Sequence, residues 1–125
     1  MSSVYSTGEI VVPDNPPAPK GYHLLMVMPK VDEKTKGGIL LPGDVKNRED
    51  VASIVGKVVS IGDTAYPETD ARFASGPWCH EGDWVMVSKY AGHRFEYDGV
   101  EMRILNDDAI LAVVDDPTKV SRATA

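Results

Sequence analysis

Thiols are nearly missing from this chain. Cys79 stands alone among 125 residues, which excludes an intrachain disulfide and a cysteine-only zinc site. Histidine is sparse as well. His23, His80 and His93 are scattered without an H-x-x-x-H spacing, and a metal needs three or four convergent ligands. Cys79-His80 offers two at most, so no metal site is expected. Long apolar runs are absent: the longest, Leu24 to Pro29, falls far short of the ~20 residues a membrane span requires. Met1 to Ser6 have neither a basic start nor an apolar stretch, so no secretion signal is expected and a cytoplasmic location follows. Positive charge is in deficit, with 13 Lys and Arg against 19 Asp and Glu. A broad phosphate-binding face needs the reverse, so nucleic acid is not an expected partner.

The chemistry-bearing motifs are missing too. There is no P-loop, no G-x-G-x-x-G, no G-x-S-x-G and no EF-hand spacing. A Cys–His nucleophilic pair would need Cys79 to meet His23 or His93, and no spacing brings them together. A small buried thiol is the expectation. Asp107-Asp108 and Asp115-Asp116 sit beside strand ends, where aspartate caps and turns the chain, and are read as structural. No catalytic residue, no cofactor and no enzymatic activity are expected. A small hydrolase is disfavoured on this ground.

What is present describes an ordinary soluble domain: 42% apolar and 26% charged residues. Eleven glycines and nine prolines favour turns over a helical bundle. Pro13, Pro16, Pro17 and Pro19 remove backbone donors, and residues 1–20 are read as an extended, polyproline-like arm in which only Glu9 to Val12 could add an edge strand. From Gly21 onward the signals are short strands: 22–28, nearly all apolar and stopping at Pro29; 54–61, β-branched and ending at Gly62-Asp63; 84–88 after Gly82-Asp83; 95–97 and 100–104 around Asp98-Gly99, a two-residue hairpin signal; and 110–114, a last buried strand. In that hairpin Glu96 faces Glu101 and Arg94 faces Arg103, a penalty that the diagonal pairs Arg94–Glu101 and Glu96–Arg103 would offset. No window of ten residues carries a 3.6-residue apolar period. A small all-β barrel or sandwich follows.

Two segments do not fit as strands, and connections of about 20 residues are usually functional or disordered. Residues 63–81 mix Pro67 and Pro77 with Tyr66, Phe73 and Trp78. The prolines interrupt ladder donors, so this segment is expected to fold back as a packed loop rather than a long hairpin. Residues 30–53 are dense in charge on both sides of an apolar island, Gly37-Gly38-Ile39-Leu40-Leu41-Pro42-Gly43. An exposed apolar tripeptide in a polar loop is costly unless it binds something. The alternative is a short edge strand tucked into the barrel, and the pattern alone leaves both open.

Asp32-Glu33-Lys34-Thr35-Lys36-Gly37-Gly38-Ile39-Leu40-Leu41-Pro42 resembles the E-x-K-x-x-G-G-I-hydrophobic-L-P signature of GroES-type co-chaperonins, the chaperonin-10 family. Tyr22 to Met28, Gly56 to Gly62, Gly82 to Val87 and Ile110 to Val114 resemble that family's strands in the same order. The resemblance covers roughly residues 21–115. It implies a GroES-like β-barrel at 21–117, with a mobile loop at 31–52, a roof-equivalent loop at 63–81 and a tail at 118–125. It implies a homo-oligomeric ring, a heptamer, that caps the apical domains of a GroEL-type chaperonin and encloses an unfolded client during ATP-dependent folding. Gly37, Gly38, Ile39, Leu40, Leu41 and Pro42 would be the chaperonin-binding residues. The first strand would pair with the last strand of the neighbouring subunit. The long arm and the aromatic 63–81 segment are closest to bacteriophage-encoded members, which would work in the host cytoplasm. The alternative function is a virion decoration or assembly protein reusing the fold.

Overall fold

A strand that is apolar on both faces has to be covered on both faces, and this requirement shapes the molecule. In a computed structural model of the chain, residues 10, 12–29, 51–121 and 123 are described, with the backbone of 34–35 and 38–39. Strand β1 (His23–Val27) lies at the centre of a six-stranded antiparallel sheet. It pairs on one side with β4 (Val55–Ile61) and on the other with β7 (Val100–Asn106). β7 continues to β6 (His93–Tyr97), and β4 to β5 (Trp84–Met86) and then β8 (Ala112–Val114). Two short strands, β2 (Lys34–Thr35) and β3 (Gly38–Ile39), form a separate ladder. The all-β expectation holds. Among the described residues the sheet is not closed, since β6 and β8 are its two ends.

Alternation along β1 divides the core in two. Leu24 and Met26 face the larger cluster with Val58, Val85 and Leu105. Leu25 and Val27 face the opposite side with Met102, covered by Ile10, Val59, Phe95, Val100 and Ile104. Both sets are fully buried. A bulge opposite Leu25 and Met26 lets Val58 and Ile61, three residues apart, both serve the larger cluster. Asp98 and Gly99 both take positive φ, 53° and 77°, the type I′ geometry that two-residue hairpins favour.

Several expectations are corrected by this architecture. The first strand cannot pair with a neighbouring subunit, because β1 is already laddered on both sides. Its continuous apolar character reflects a central place in the sheet and not an edge. The last strand is not buried: Val113 and the preceding Leu111 are 50% and 63% exposed, because among the described residues β8 pairs only with β5 and nothing covers it. Ile10 and Val12 lie in no strand; Ile10 instead packs over the smaller cluster, and the Tyr97 hydroxyl donates to the Asn15 carbonyl at 3.1 Å. This part of the arm thus lies against the sheet.

Gly62 marks where β4 leaves the sheet. Its N–H donates to the His23 carbonyl at 2.8 Å, and a Cβ there would stand 2.2 Å from the Gly21 carbonyl oxygen. Backbone cannot move aside as a side chain can. Gly62→Ala is expected to destabilise the fold by about 3 kcal/mol, the upper end of overpacking costs, measured by denaturant unfolding at fixed protein concentration.

Candidate functional site

The segment between β4 and β5 contains no strand. It runs through turns and a single 3-10 turn, Ala71–Phe73, capped by the Asp70 carboxylate accepting from the Arg72 N–H. Tyr66 and Phe73 are 5% and 1% exposed and belong to the larger core cluster together with Cys79. Phe73 meets Tyr66 edge-on at 4.9 Å and Trp78 at 5.0 Å, with the Arg72 guanidinium 4.8 Å above its ring. Such aromatic pairs contribute ~0.5–1.5 kcal/mol beyond area. The loop is packed, as the proline argument required, and it serves as part of the core.

Side chains next to β7 hold this loop in place. Asp107, 4% exposed, accepts from the Tyr66 N–H at 3.0 Å, and Asp108 accepts from Arg72 at 2.7 Å. A 3-10 turn, Asp107–Ala109, follows Asn106, which makes no side-chain cap; Asp107 spends its carboxylate on the loop. Asp116 caps the turn 117–119 by accepting from the Thr118 hydroxyl and N–H, which together hold its carboxyl below the usual range. Asp107, Asp108 and Asp116 thus hold local structure. Cys79 sits 3.4 Å from the Tyr66 hydroxyl, and burial pushes the hydroxyl well above its ordinary value and raises the thiol as well. That is the setting of an inert thiol. Among the described residues no three His, Cys, Asp or Glu side chains converge on a metal position.

Arg103 is the residue that sequence reasoning missed. It is fully buried. Its guanidinium donates to the carbonyls of Ser88 and Ala91, at 3.2 and 3.4 Å, and of Ser53, at 2.5 Å. Burial, then the like charge of Arg94, pushes this group down, and Glu101 offsets part of the shift. The expected Glu96–Arg103 diagonal does not form; Arg94–Glu101 does, at 2.7 Å. The signal was there: Arg103 is two residues from Leu105 and opposite Met26, so period-two alternation places it on the core face. Three carbonyls accept from one side chain, Ser88's sharing it with the Ala91 N–H, and a buried carbonyl left without a donor costs ~1–3 kcal/mol.

Of the expected binding residues, Gly37, Leu40, Leu41 and Pro42 lie outside the described residues, as does most of the mobile loop expected at 31–52. The backbones of Gly38 and Ile39 pair with Thr35 and Lys34. The feet of this segment are well described. It departs after Met28, whose N–H donates to the Glu101 carbonyl at 3.0 Å, and returns at Val51, 1% exposed, with the Ile54 N–H donating to the Val51 carbonyl. β7 therefore holds both feet, one through Glu101 and one through Arg103.

Among the described residues these features define a small, predominantly β protein with an exposed apolar edge strand, a 30–50 segment held at both ends, and no catalytic cluster. The family model for the chaperonin 10 Kd subunit matches residues 18–114. The co-chaperonin GroES of Anoxybacillus flavithermus is 36% identical over 96 residues, covering 77% of this chain and 96% of that relative. That of Acetivibrio thermocellus is 38% identical over 98 residues, covering 78% and 96%. The chain belongs to the chaperonin 10 family. Among the described residues no helix is long and apolar enough to cross a membrane.

Proposed function

We propose that this protein is a co-chaperonin: a ring-shaped, non-enzymatic lid that caps a chaperonin and assists ATP-dependent folding of a client. The observation that carries the reading is the family match across 18–114, with Gly37-Gly38-Ile39-Leu40-Leu41-Pro42 at the centre of the charged segment. In this reading those six residues contact the chaperonin's apical domains, the ring is a heptamer, and the protein acts in the cytoplasm. The aromatic, proline-bearing loop at 63–81 and the long arm at 1–20 favour a bacteriophage-encoded member working in its host. The barrel proper is 21–117 and the tail 118–125.

Ring formation has a physical motive in β8. An edge strand paired on one side and carrying exposed apolar side chains invites pairing on the other, and Val113 in β8 and Leu111 just before it are such side chains. Since β1 is fully paired, the neighbour must offer another segment to this edge. Val113→Lys is expected to convert a ring into monomers in sedimentation at micromolar concentration, while the wild type sediments as a ring. A wild-type monomer would remove the lid reading. Electron microscopy of the protein with and without a GroEL-type chaperonin and ATP tests the function itself: an end-on cap is expected, and its absence would favour a decoration or assembly role.

A further inference from the structure

We propose that Arg103 is a positioning residue for capping: its guanidinium fixes the returning foot of the 30–50 segment against β7 and the 88–91 turn, and so sets how that segment is presented to the chaperonin. The inference rests on the co-chaperonin reading and goes beyond it, because Arg103 lies outside the segment assigned to binding.

Arg103 is fully buried, yet on the same hairpin Arg94 and Glu96 are exposed and Glu101 is half-buried. All three of its acceptors are main-chain carbonyls. A planar fork with five donors suits this task and a lysine does not, since its single ammonium cannot reach three separated carbonyls in fixed geometry. The acceptors also belong to distinct places in the chain. Ser53 follows the 30–50 segment in its returning foot, while Ser88 and Ala91 bracket a turn closed by the Ala91 N–H donating to the Ser88 carbonyl at 3.0 Å. Val87 extends the same seam by donating to the Ile54 carbonyl at 2.8 Å. One side chain thus joins β7, the foot and the turn.

Holding the feet of a loop reduces the freedom it must surrender on binding. In a multivalent cap a small loss per copy is compounded across copies. Loosening one foot should therefore show in capping well before it shows in the barrel core. The other foot, held by the Glu101 carbonyl, is main chain and survives any side-chain change at 103.

The test uses full-length rings of the wild type, Arg103→Met and Arg103→Lys, with Leu40→Ser as a control that leaves the clamp in place. Hydrogen exchange on the free rings is expected to accelerate at 51–54 and 87–91 in Arg103→Met, with β1 unchanged. Capping of a purified GroEL-type chaperonin in ATP is expected to weaken about tenfold, with Arg103→Lys intermediate. In Leu40→Ser, capping is expected to be lost with exchange at 51–54 unchanged. If Arg103→Met caps within twofold of the wild type, the positioning role is overturned while the co-chaperonin reading stands. If the wild type itself does not cap, that reading falls and takes this role with it. Should Arg103→Met fail to assemble, Arg103→Lys carries the comparison; failure of both overturns the proposal, the residue then serving the fold alone.

Discussion

Leu40→Ser is expected to abolish capping at micromolar concentrations while leaving the barrel folded and the ring assembled. Burying one leucine side chain is worth ~1.5–3 kcal/mol, and fixing loop backbone costs on the order of 1–2 kcal/mol per residue. A single copy is therefore a weak binder, as a lid that must come off requires. Removing the apolar contact from every copy at once turns a modest loss per copy into loss of the cap. Lys46→Ser or Arg48→Ser should weaken capping far less, since each removes a charge and no apolar contact. Co-sedimentation with a chaperonin in ATP reads both. A Leu40→Ser ring that caps with unchanged affinity would overturn the assignment of Ile39, Leu40 and Leu41 as the binding contact and move the decoration role ahead.

Phe73→Ala should cost about 3–5 kcal/mol, the range for truncating a buried phenylalanine. Phe73 is 1% exposed and central to the aromatic group, touching Tyr66, Trp78 and the Arg72 guanidinium. Its loss would also loosen Tyr66 and the buried Cys79 beside it. Trp78→Ala should cost much less, because Trp78 is 38% exposed. Denaturant unfolding at one fixed concentration is the measurement, since assembly adds concentration-dependent stability. A cost below about 1 kcal/mol for Phe73→Ala would mean that the 63–81 loop rests on the sheet without being part of its core.

Much of this was legible from local rules. Proline placement predicted that 63–81 would pack rather than pair, and Asp98-Gly99 marked the hairpin with its register, down to Glu96 opposite Glu101 and Arg94 opposite Arg103. The apolar island at 37–42 stands out in the sequence as an anomaly and as part of a family signature, and its binding role is a proposal. The strand at 110–114 was misjudged because an apolar run has two causes, burial within the chain and an edge awaiting another chain, and composition does not separate them. Arg103 was misjudged because charge was weighed above alternation.

The sequence by itself determined the class of the protein, since β-branched runs, turn residues and absent catalytic motifs depend only on neighbouring positions. It also determined the family, through an ordered set of short matches around one specific loop. The tertiary structure alone decided which strand lies at the centre and which at the edge, because pairing partners far apart in sequence set that order. It also decided where the charge of Arg103 goes. Three carbonyls from two distant loops converge on one point only after β1, β4 and β7 have come together, and no local pattern encodes that convergence.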